Sequence, residues 1–393
     1  MQNKTIAIVG GGPGGLTLAR LLQLKGANVK VYERDVNKDV RVQGSTLDLH
    51  EESGLKALAV AGLMEAFNAN FRPGAEKVRV VDRDGIVVLD EHGDTQAPIA
   101  GGPIAGSSIP AAPIGRPEID RGPLRKILLD SLAPDTVVWN SHLVSLSKTP
   151  NGWKLSFQNG STALADIVIG ADGANSKIRP FITPIKPFFA DLTMVEGTVY
   201  HSETAAPRIH ELMAGGKIFA LGDEKSLIVS SKGDGSLMFC TGCKTTEYWS
   251  RDSGIDFTDN AQVKAWFQQA FTGWDPLWLE LFDGAEPRFI PRPQYCMPLD
   301  QSWDALPDLT MLGDAAHLMP PYAGEGVNMA MLDALELSEC LSEFDFPGGI
   351  ARYEQAMRVR ASDMAKETLL QMEMLHSENG LRGLVALFSG IPS

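Results

Sequence analysis

Cysteine is scarce in this chain, four residues among 393, too few for a disulfide framework. Two of them form Cys240-Thr241-Gly242-Cys243, but no second pair stands at metal-ligand spacing, and Leu237-Met238-Phe239-Cys240 reads as a strand. Ordinary buried thiols are therefore favoured over a redox pair or half a zinc site. Positive charge is short as well. The formal net charge is −14 and Lys and Arg do not cluster, which argues against a nucleic-acid partner because phosphate binding needs a basic footprint. Long apolar runs are missing, so no membrane span is expected, and Leu384–Phe388 is short enough to dock on the protein itself. The first strand begins by Thr5, leaving no room for a cleaved signal peptide, and the expectation is a cytoplasmic protein. Repeats and low-complexity tracts are absent. So are a Ser-His-Asp nucleophile elbow, a His-Glu-x-x-His motif and a paired-carboxylate site, so no catalytic side chain and no metal ligand are assigned.

Glycine, by contrast, is plentiful and placed with order. Thr5-Ile6-Ala7-Ile8-Val9 is a short apolar run of the kind a buried parallel strand shows, and Gly10-Gly11-Gly12-Pro13-Gly14-Gly15 follows it directly. Leucines at helical spacing resume from Leu16 to Leu22. In such a strand–turn–helix unit Gly10 permits the tight turn, Gly12 lets a pyrophosphate approach the backbone, and Gly15 allows close helix–strand packing. The phosphates then face a helix N-terminus. A second strand, Val29 to Glu33, ends in a carboxylate suited to ribose hydroxyls and repellent to a 2′-phosphate. Two further signatures end apolar strands. Asp172-Gly173 follows Asp166–Gly170, and Gly313-Asp314-Ala315-Ala316-His317 follows Leu309–Leu312. Three strand-end signatures in this order describe a pocket for a large dinucleotide, FAD above all. Asp314 can accept from a ribityl hydroxyl. The segment from Pro320 to Asn328 is a glycine-bearing loop running into a helix, whose amides could face the flavin pyrimidine.

Along the chain, a helix is expected from Ser53 to about Asn68, a hairpin from Val78 to Leu89 around Asp84-Gly85, and helices over Arg121–Leu132, Gly326–Leu341 and Ile350 to about His376. Gln96 to Pro117 is rich in Gly, Pro and Ala and reads as a long loop, a lid or a tolerated surface insertion. From Phe188 to about Arg292 alternating strands dominate, broken by a helix near Asn260–Phe271, with frequent aromatics and methionines. This second, antiparallel unit is suited to walling an apolar ligand. His317 lies one turn after Asp314, and both a packed structural histidine and a proton relay stay open.

These motifs resemble the group A flavoprotein monooxygenases, the family of p-hydroxybenzoate hydroxylase, and within it the tetracycline-inactivating (TetX-type) enzymes. The resemblance covers nearly the whole chain and is strongest at Tyr32–Asp35, Gly44–His50, Pro117–Arg121 and Gly313–Asn328. It implies an α/β fold with a Rossmann-like FAD-binding domain (1–75, 116–183 and 294–345), an inserted antiparallel-sheet substrate domain (76–115 and 184–293), and a C-terminal helical segment (346–393). It further implies cofactor contacts at Gly10, Gly12, Gly15, Glu33, Arg34, Asp48, Arg121, Asp172, Asp314, Pro321, Gly324, Gly326, Val327 and Asn328, with Arg41 for NADPH. A guanidinium at Arg121 can pair phosphates or polarise the flavin edge, although an ordinary helix-start arginine is the other reading.

The implied activity is hydroxylation of an electron-rich polycyclic phenol or enol by FAD, NADPH and O₂, tetracycline inactivation being the leading case. No second Gly-x-Gly-x-x-Gly in a strand–helix context appears, in keeping with NADPH as a transient co-substrate. Substrate contacts are expected at Glu196, Lys217, Met238 and Pro320. An acid and a methionine stand where the drug-inactivating enzymes carry polar and basic groups, so a smaller aromatic such as a hydroxybenzoate or hydroxyquinoline is the alternative. A halogenase is disfavoured because Trp-x-Trp-x-Ile-Pro is not found. No dimer face is legible, and a monomer is expected.

Overall fold

The computed structural model describes residues 4–40, 46–93, 115–343 and 345–389. Arg41, Gly44, Ser45 and most of the Gln96–Pro117 loop lie outside them.

Thr5–Val9 is the middle strand of a five-stranded parallel sheet, ordered Leu309–Met311, Ile167–Gly170, Thr5–Val9, Asn28–Tyr32 and Val137–Val138. Its residues alternate between two cores. Ile6 and Ile8 enter the main core with the leucines of helix Pro13–Leu24 and with Met331, Leu335 and Tyr353. Ala7 and Val9 face a second core with Trp153, Leu155 and Phe157. Both faces are thus covered, which is why the strand is apolar throughout rather than alternating. The cover on the second face is a three-stranded antiparallel ribbon, Leu143–Thr149, Gly152–Phe157 and Thr162–Ala165. Each fully buried Ile or Leu here contributes about 1.5–3 kcal/mol relative to exposure.

The other large element is a seven-stranded sheet ordered Ile290–Cys296, Phe188–Val199, Leu237–Lys244, Lys225–Ser231, Lys217–Gly222, Val78–Asp82 and Val87–Asp90. It is mixed rather than purely antiparallel, because Lys217–Gly222 pairs in parallel with Val78–Asp82. That strand comes from the expected hairpin, which enters from an earlier part of the chain. Val195, Val199, Val229, Ile218 and Phe239 pack on one face against Phe267, Phe271, Trp278 and Phe282. Those side chains come from Asn260–Ala270 and short helical turns after it. Helices Ser202–Ala205 and Pro207–Met213 interrupt what the sequence reads as strands. Pro207 at a helix start has its ring fixed at a helical φ, so it opens the second of these instead of breaking it.

Ser53–Asn68 is three pieces rather than one helix: a π turn over Glu51–Leu55, then Lys56–Val60 and Met64–Asn68. Gly62 at φ +73° ends the middle piece, as a left-handed glycine does. Phe346–Leu375 is a single 30-residue helix, started by Asp345 accepting from the Gly348 amide at 3.0 Å. With Gly380–Phe388 it caps part of the second face of the seven-stranded sheet, through Leu375 and Leu384 on Val78, Val80 and Leu221.

Candidate active site

The three glycine signatures converge, because the strands before them are neighbours in one parallel sheet and all end on the same side. A Cβ on Gly10 would lie 2.2 Å from the Ala171 carbonyl oxygen, and one on Gly15 would lie 2.2 Å from the Gly10 oxygen. Close packing therefore uses both glycines. At Gly12 no atom stands within 4 Å of the Cβ position. No side chain caps the N-terminus of helix Pro13–Leu24, so its first amides are left to a ligand, as a phosphate-binding turn requires. The Glu33 carboxylate is buried and reaches this turn, accepting from the Gly11 amide at 2.6 Å and the Asp35 amide at 3.0 Å. Arg34 is exposed beside it, lining a cleft with Asp35, Asn140 and His142. Asp172 accepts from the Lys177 amide at 2.6 Å through Oδ2, while its buried Oδ1 has no protein partner. Burial raises the Asp172 carboxyl. These features fit a dinucleotide: an uncapped amide cradle, an acid at the ribose end and an orphaned carboxylate oxygen.

Sequence reasoning missed Arg179. Its guanidinium donates to the carbonyls of Ala315 at 2.7 Å, Asp314 at 2.8 Å and Ala174 at 3.1 Å, tying the second signature to the third. An arginine seven positions after Asp172 carries no local pattern that would have marked it.

Arg121 opens helix Arg121–Asp130 and stands between the two sheets, facing Asp314 on one side and Glu196 on the other. Burial pulls the guanidinium below its ordinary value, and the two acids oppose that pull. Asp314 is solvent-exposed but ringed by protein, and desolvation raises its carboxyl against the charges of His317, Arg121 and Arg179.

Glu196, Lys217 and Met238 share the face of the seven-stranded sheet opposite its aromatic core, since each is an even step from its neighbours there. One register row crosses four strands, Glu196–Cys240–Ile228–Phe219, and all four residues are half-buried. At about 4.8 Å between strands the row is roughly 14 Å long. Residues on either side of it are covered: Met194 by Met372, and Leu221 by Leu375. Phe219 itself meets Phe388 edge to face at 5.9 Å and Cys240 packs beside Tyr322, so the row is an apolar floor covered at its Phe219 end, with an acid at the other, where Arg292 Nε pairs with Glu196 at 2.6 Å. Lys217 sits one row away and is ion-paired with the buried Glu118. Ile228 was not singled out from the sequence, although its even spacing from Ser226 and Ser230 puts it on this face.

The loop from Pro320 is held from behind. The Thr368 hydroxyl donates to the Pro320 carbonyl at 2.8 Å and accepts from the Ala323 amide at 3.1 Å. Pro321–Ala323 is a short 3-10 turn, Gly324 is left-handed at φ +71°, and helix Gly326–Glu343 follows. Val327 packs partly on the main core, and Asn328 is buried, donating to the Asp48 carbonyl and accepting from the His50 amide, both at 2.9 Å. Asp48 lies in a two-residue ribbon, Leu47–Asp48 with Glu118–Ile119. His317 is structural. Its Nε2 meets Asp333 at 2.5 Å, and Asp333 also takes Arg360 at 2.7 Å and the Gly313 amide at 2.9 Å. His317 and Asp333 are buried and Arg360 is half-buried, while the charge of His317 also acts on Asp314.

Cys240 and Cys243 are free thiols, raised by burial to about 12 and about 11 respectively, so neither is a thiolate near neutrality. Among the described residues no acid, histidine and cysteine group could hold a metal ion, and no helix is long and apolar enough to cross a membrane.

Residues 3–96 and 308–368 match the family model described as FAD binding domain. The chain is 27% identical to the monooxygenase asqM of Emericella nidulans, over 95% of this chain and 96% of the relative. It is also 27% identical to 6-hydroxynicotinate 3-monooxygenase of Pseudomonas fluorescens, over 97% and 92%. Among solved structures it is similar to the tetracycline destructase Tet(51), with a TM-score of 0.68 and 18% identity over 98% of this chain and 94% of that one. This last likeness concerns the fold alone.

Proposed function

We propose that the chain, which is similar to FAD-dependent monooxygenases and matches the FAD binding domain over residues 3–96 and 308–368, is a flavin-dependent monooxygenase that hydroxylates an electron-rich polycyclic phenol or enol of the tetracycline type, consuming NADPH and O₂. The observation that carries this reading is the half-buried row Glu196–Cys240–Ile228–Phe219. With Phe219 given over to Phe388, the part from Glu196 to Ile228 is about 10 Å long, which suits more than one ring.

In this reading the chain is divided as its signatures suggest. Residues 1–75, 116–183 and 294–345 hold FAD, residues 76–115 and 184–293 wall the substrate, and residues 346–393 brace both. Gly10, Gly12 and Gly15 shape the pyrophosphate turn, and Glu33 accepts from the adenosine ribose, with Arg34 at the rim. Asp172 and Asp314 take the phosphate and ribityl region. Arg121 supplies positive charge between cofactor and substrate, held by Asp314 and Glu196. Asp48, Pro321, Gly324, Gly326, Val327 and Asn328 set the turn against the flavin ring, and Arg41 is the NADPH contact. Bound FAD supplies the redox chemistry that activates O₂. The protein's own part is orientation and dryness: Met238, Ile228, Phe219 and Pro320 exclude water, and Glu196 orients a donor group on the substrate.

A smaller aromatic is the second reading, favoured by the relative that acts on 6-hydroxynicotinate and by Lys217 being engaged with Glu118. The deciding experiment is NADPH oxidation by the purified protein with and without tetracycline, together with product mass. Stimulated oxidation and a gain of one oxygen are expected. Bound flavin without stimulation sinks tetracycline and sends the search to single-ring phenols, and a protein that takes up no flavin overturns the reading altogether.

A further inference from the structure

His50 lies outside the residues given roles above, yet both of its ring nitrogens are committed. Nε2 stands 3.1 Å from Asp48 Oδ2 and Nδ1 stands 2.8 Å from Glu325 Oε1. A carboxylate oxygen only accepts, so satisfying both contacts requires both nitrogens to carry protons, which makes the ring an imidazolium. Glu325 lies between Gly324 and Gly326, in the turn that leads into helix Gly326–Glu343. Asp48 belongs to the ribbon opposite. A Cβ on Gly324 would sit 3.4 Å from the Asp48 carboxylate, so turn and ribbon are already in contact there. Asn328 adds backbone stitches at the same seam.

We propose that His50 is a positioning residue: an imidazolium clamped between Asp48 and Glu325 that holds the Gly324–Gly326 turn in the shape the flavin ring meets. This rests on the reading that the turn faces FAD. Without the proton the clamp becomes a repulsion, since two carboxylates would flank a neutral ring able to donate only once.

The surrounding charges agree. Burial pulls the His50 imidazole down, but the hydrogen bonds and charges of Asp48 and Glu325 outweigh it and lift it to about 9. Asp48, which burial alone would raise, is kept below the usual carboxylate range by His50 and Lys217. Arg116 approaches Asp48 at 4.0 Å. Glu118 adds negative charge on the ribbon side, and Lys217 balances it. For a histidine whose pKa is raised on closing the turn, the stabilisation is whole below about 6.5, shrinks as pH rises from there, and is gone above about 9.

The test uses the full chain stripped of flavin, with two readouts. The first is NMR titration of ¹⁵N-labelled histidines, His50 being assigned by the signal missing in His50→Gln. The second is FAD affinity from fluorescence quenching between pH 7 and 9.5. His50 is expected to titrate near 9, and FAD affinity to fall about three- to fourfold across the range. His50→Gln should bind weakly and without that pH dependence. Glu325→Gln, which keeps one carboxylate, should move both midpoints to lower pH. Titration of His50 near 6.5, or an unchanged pH profile in His50→Gln, overturns the proposal. If the protein binds no flavin at any pH, the functional reading fails, and the NMR midpoint alone then decides whether the clamp exists.

Discussion

At Gly10 the backbone is held at φ +111°, and a Cβ would lie 2.2 Å from the Ala171 oxygen. At Gly12 the backbone is extended, and nothing lies within 4 Å of the Cβ position. The two glycines of one motif therefore do different work, and alanine at each separates them. Gly10→Ala is expected to cost about 2–4 kcal/mol in urea unfolding, from left-handed strain plus the clash. Gly12→Ala should leave the unfolding free energy within about 0.5 kcal/mol of the parent. Its effect should appear as at least a tenfold loss of FAD affinity, because the methyl occupies the space a phosphate needs. Equal destabilisation by both would contradict this division.

The turn Pro321–Ala323 has little regular structure of its own and borrows its shape from helix Phe346–Leu375 through one hydroxyl. Thr368→Val keeps the volume while removing both hydrogen bonds, leaving the Pro320 carbonyl and the Ala323 amide unmatched. Such a loss costs about 1–3 kcal/mol. It should show as faster hydrogen exchange at 322–324 with little change at the helix itself. How much of this was legible in the sequence depends on the range of the interaction. Thr5–Val9, its glycine turn and helix Pro13–Leu24 were readable because strand, breaker and helix follow one another. The Gly326 helix and the Val78 hairpin were readable for the same reason. The π turn at Glu51–Leu55 was not. It is shaped by Gly54 packing where a Cβ would stand 2.6 Å from Asn328 Oδ1, a contact 274 positions away that no local pattern reports. Arg179 and the His50 clamp were hidden likewise. The parallel pairing of Lys217–Gly222 with Val78–Asp82 was missed because alternation reveals a strand but not its neighbour's direction.

At the scale of the whole molecule the seven-stranded sheet is tied by polar contacts to the short ribbon and the chain beside it. Lys217 projects from the seven-stranded sheet onto Glu118 of the short ribbon, and Arg72 meets Asp120 at 3.4 Å and the Ser231 carbonyl at 2.8 Å. Glu118 is 1% exposed, and one of its oxygens has no partner, so burial already raises its carboxyl. Lys217→Met removes the compensating charge and should cost about 3 kcal/mol at pH 8. With the lysine gone, the Glu118 carboxyl is raised further in the folded state than in the unfolded one. The deficit should then narrow as pH falls and the carboxyl takes up a proton. Urea midpoints at pH 8 and pH 5.5 check this, and a deficit that is constant with pH would refute it.

The order of strands in the parallel sheet also sets a schedule. Thr5–Val9 is made first, its neighbour Ile167–Gly170 much later, and Leu309–Met311, which closes the row, later still. At ribosomal speeds of about 5–20 residues per second, the gap between the first and last of these strands is about 15–60 s. During that interval the nascent chain carries an apolar strand with an unfilled edge and a phosphate turn with no opposite wall. Flavin capture therefore has to wait until the last of these strands has been made, about 300 residues after the turn that receives the phosphates.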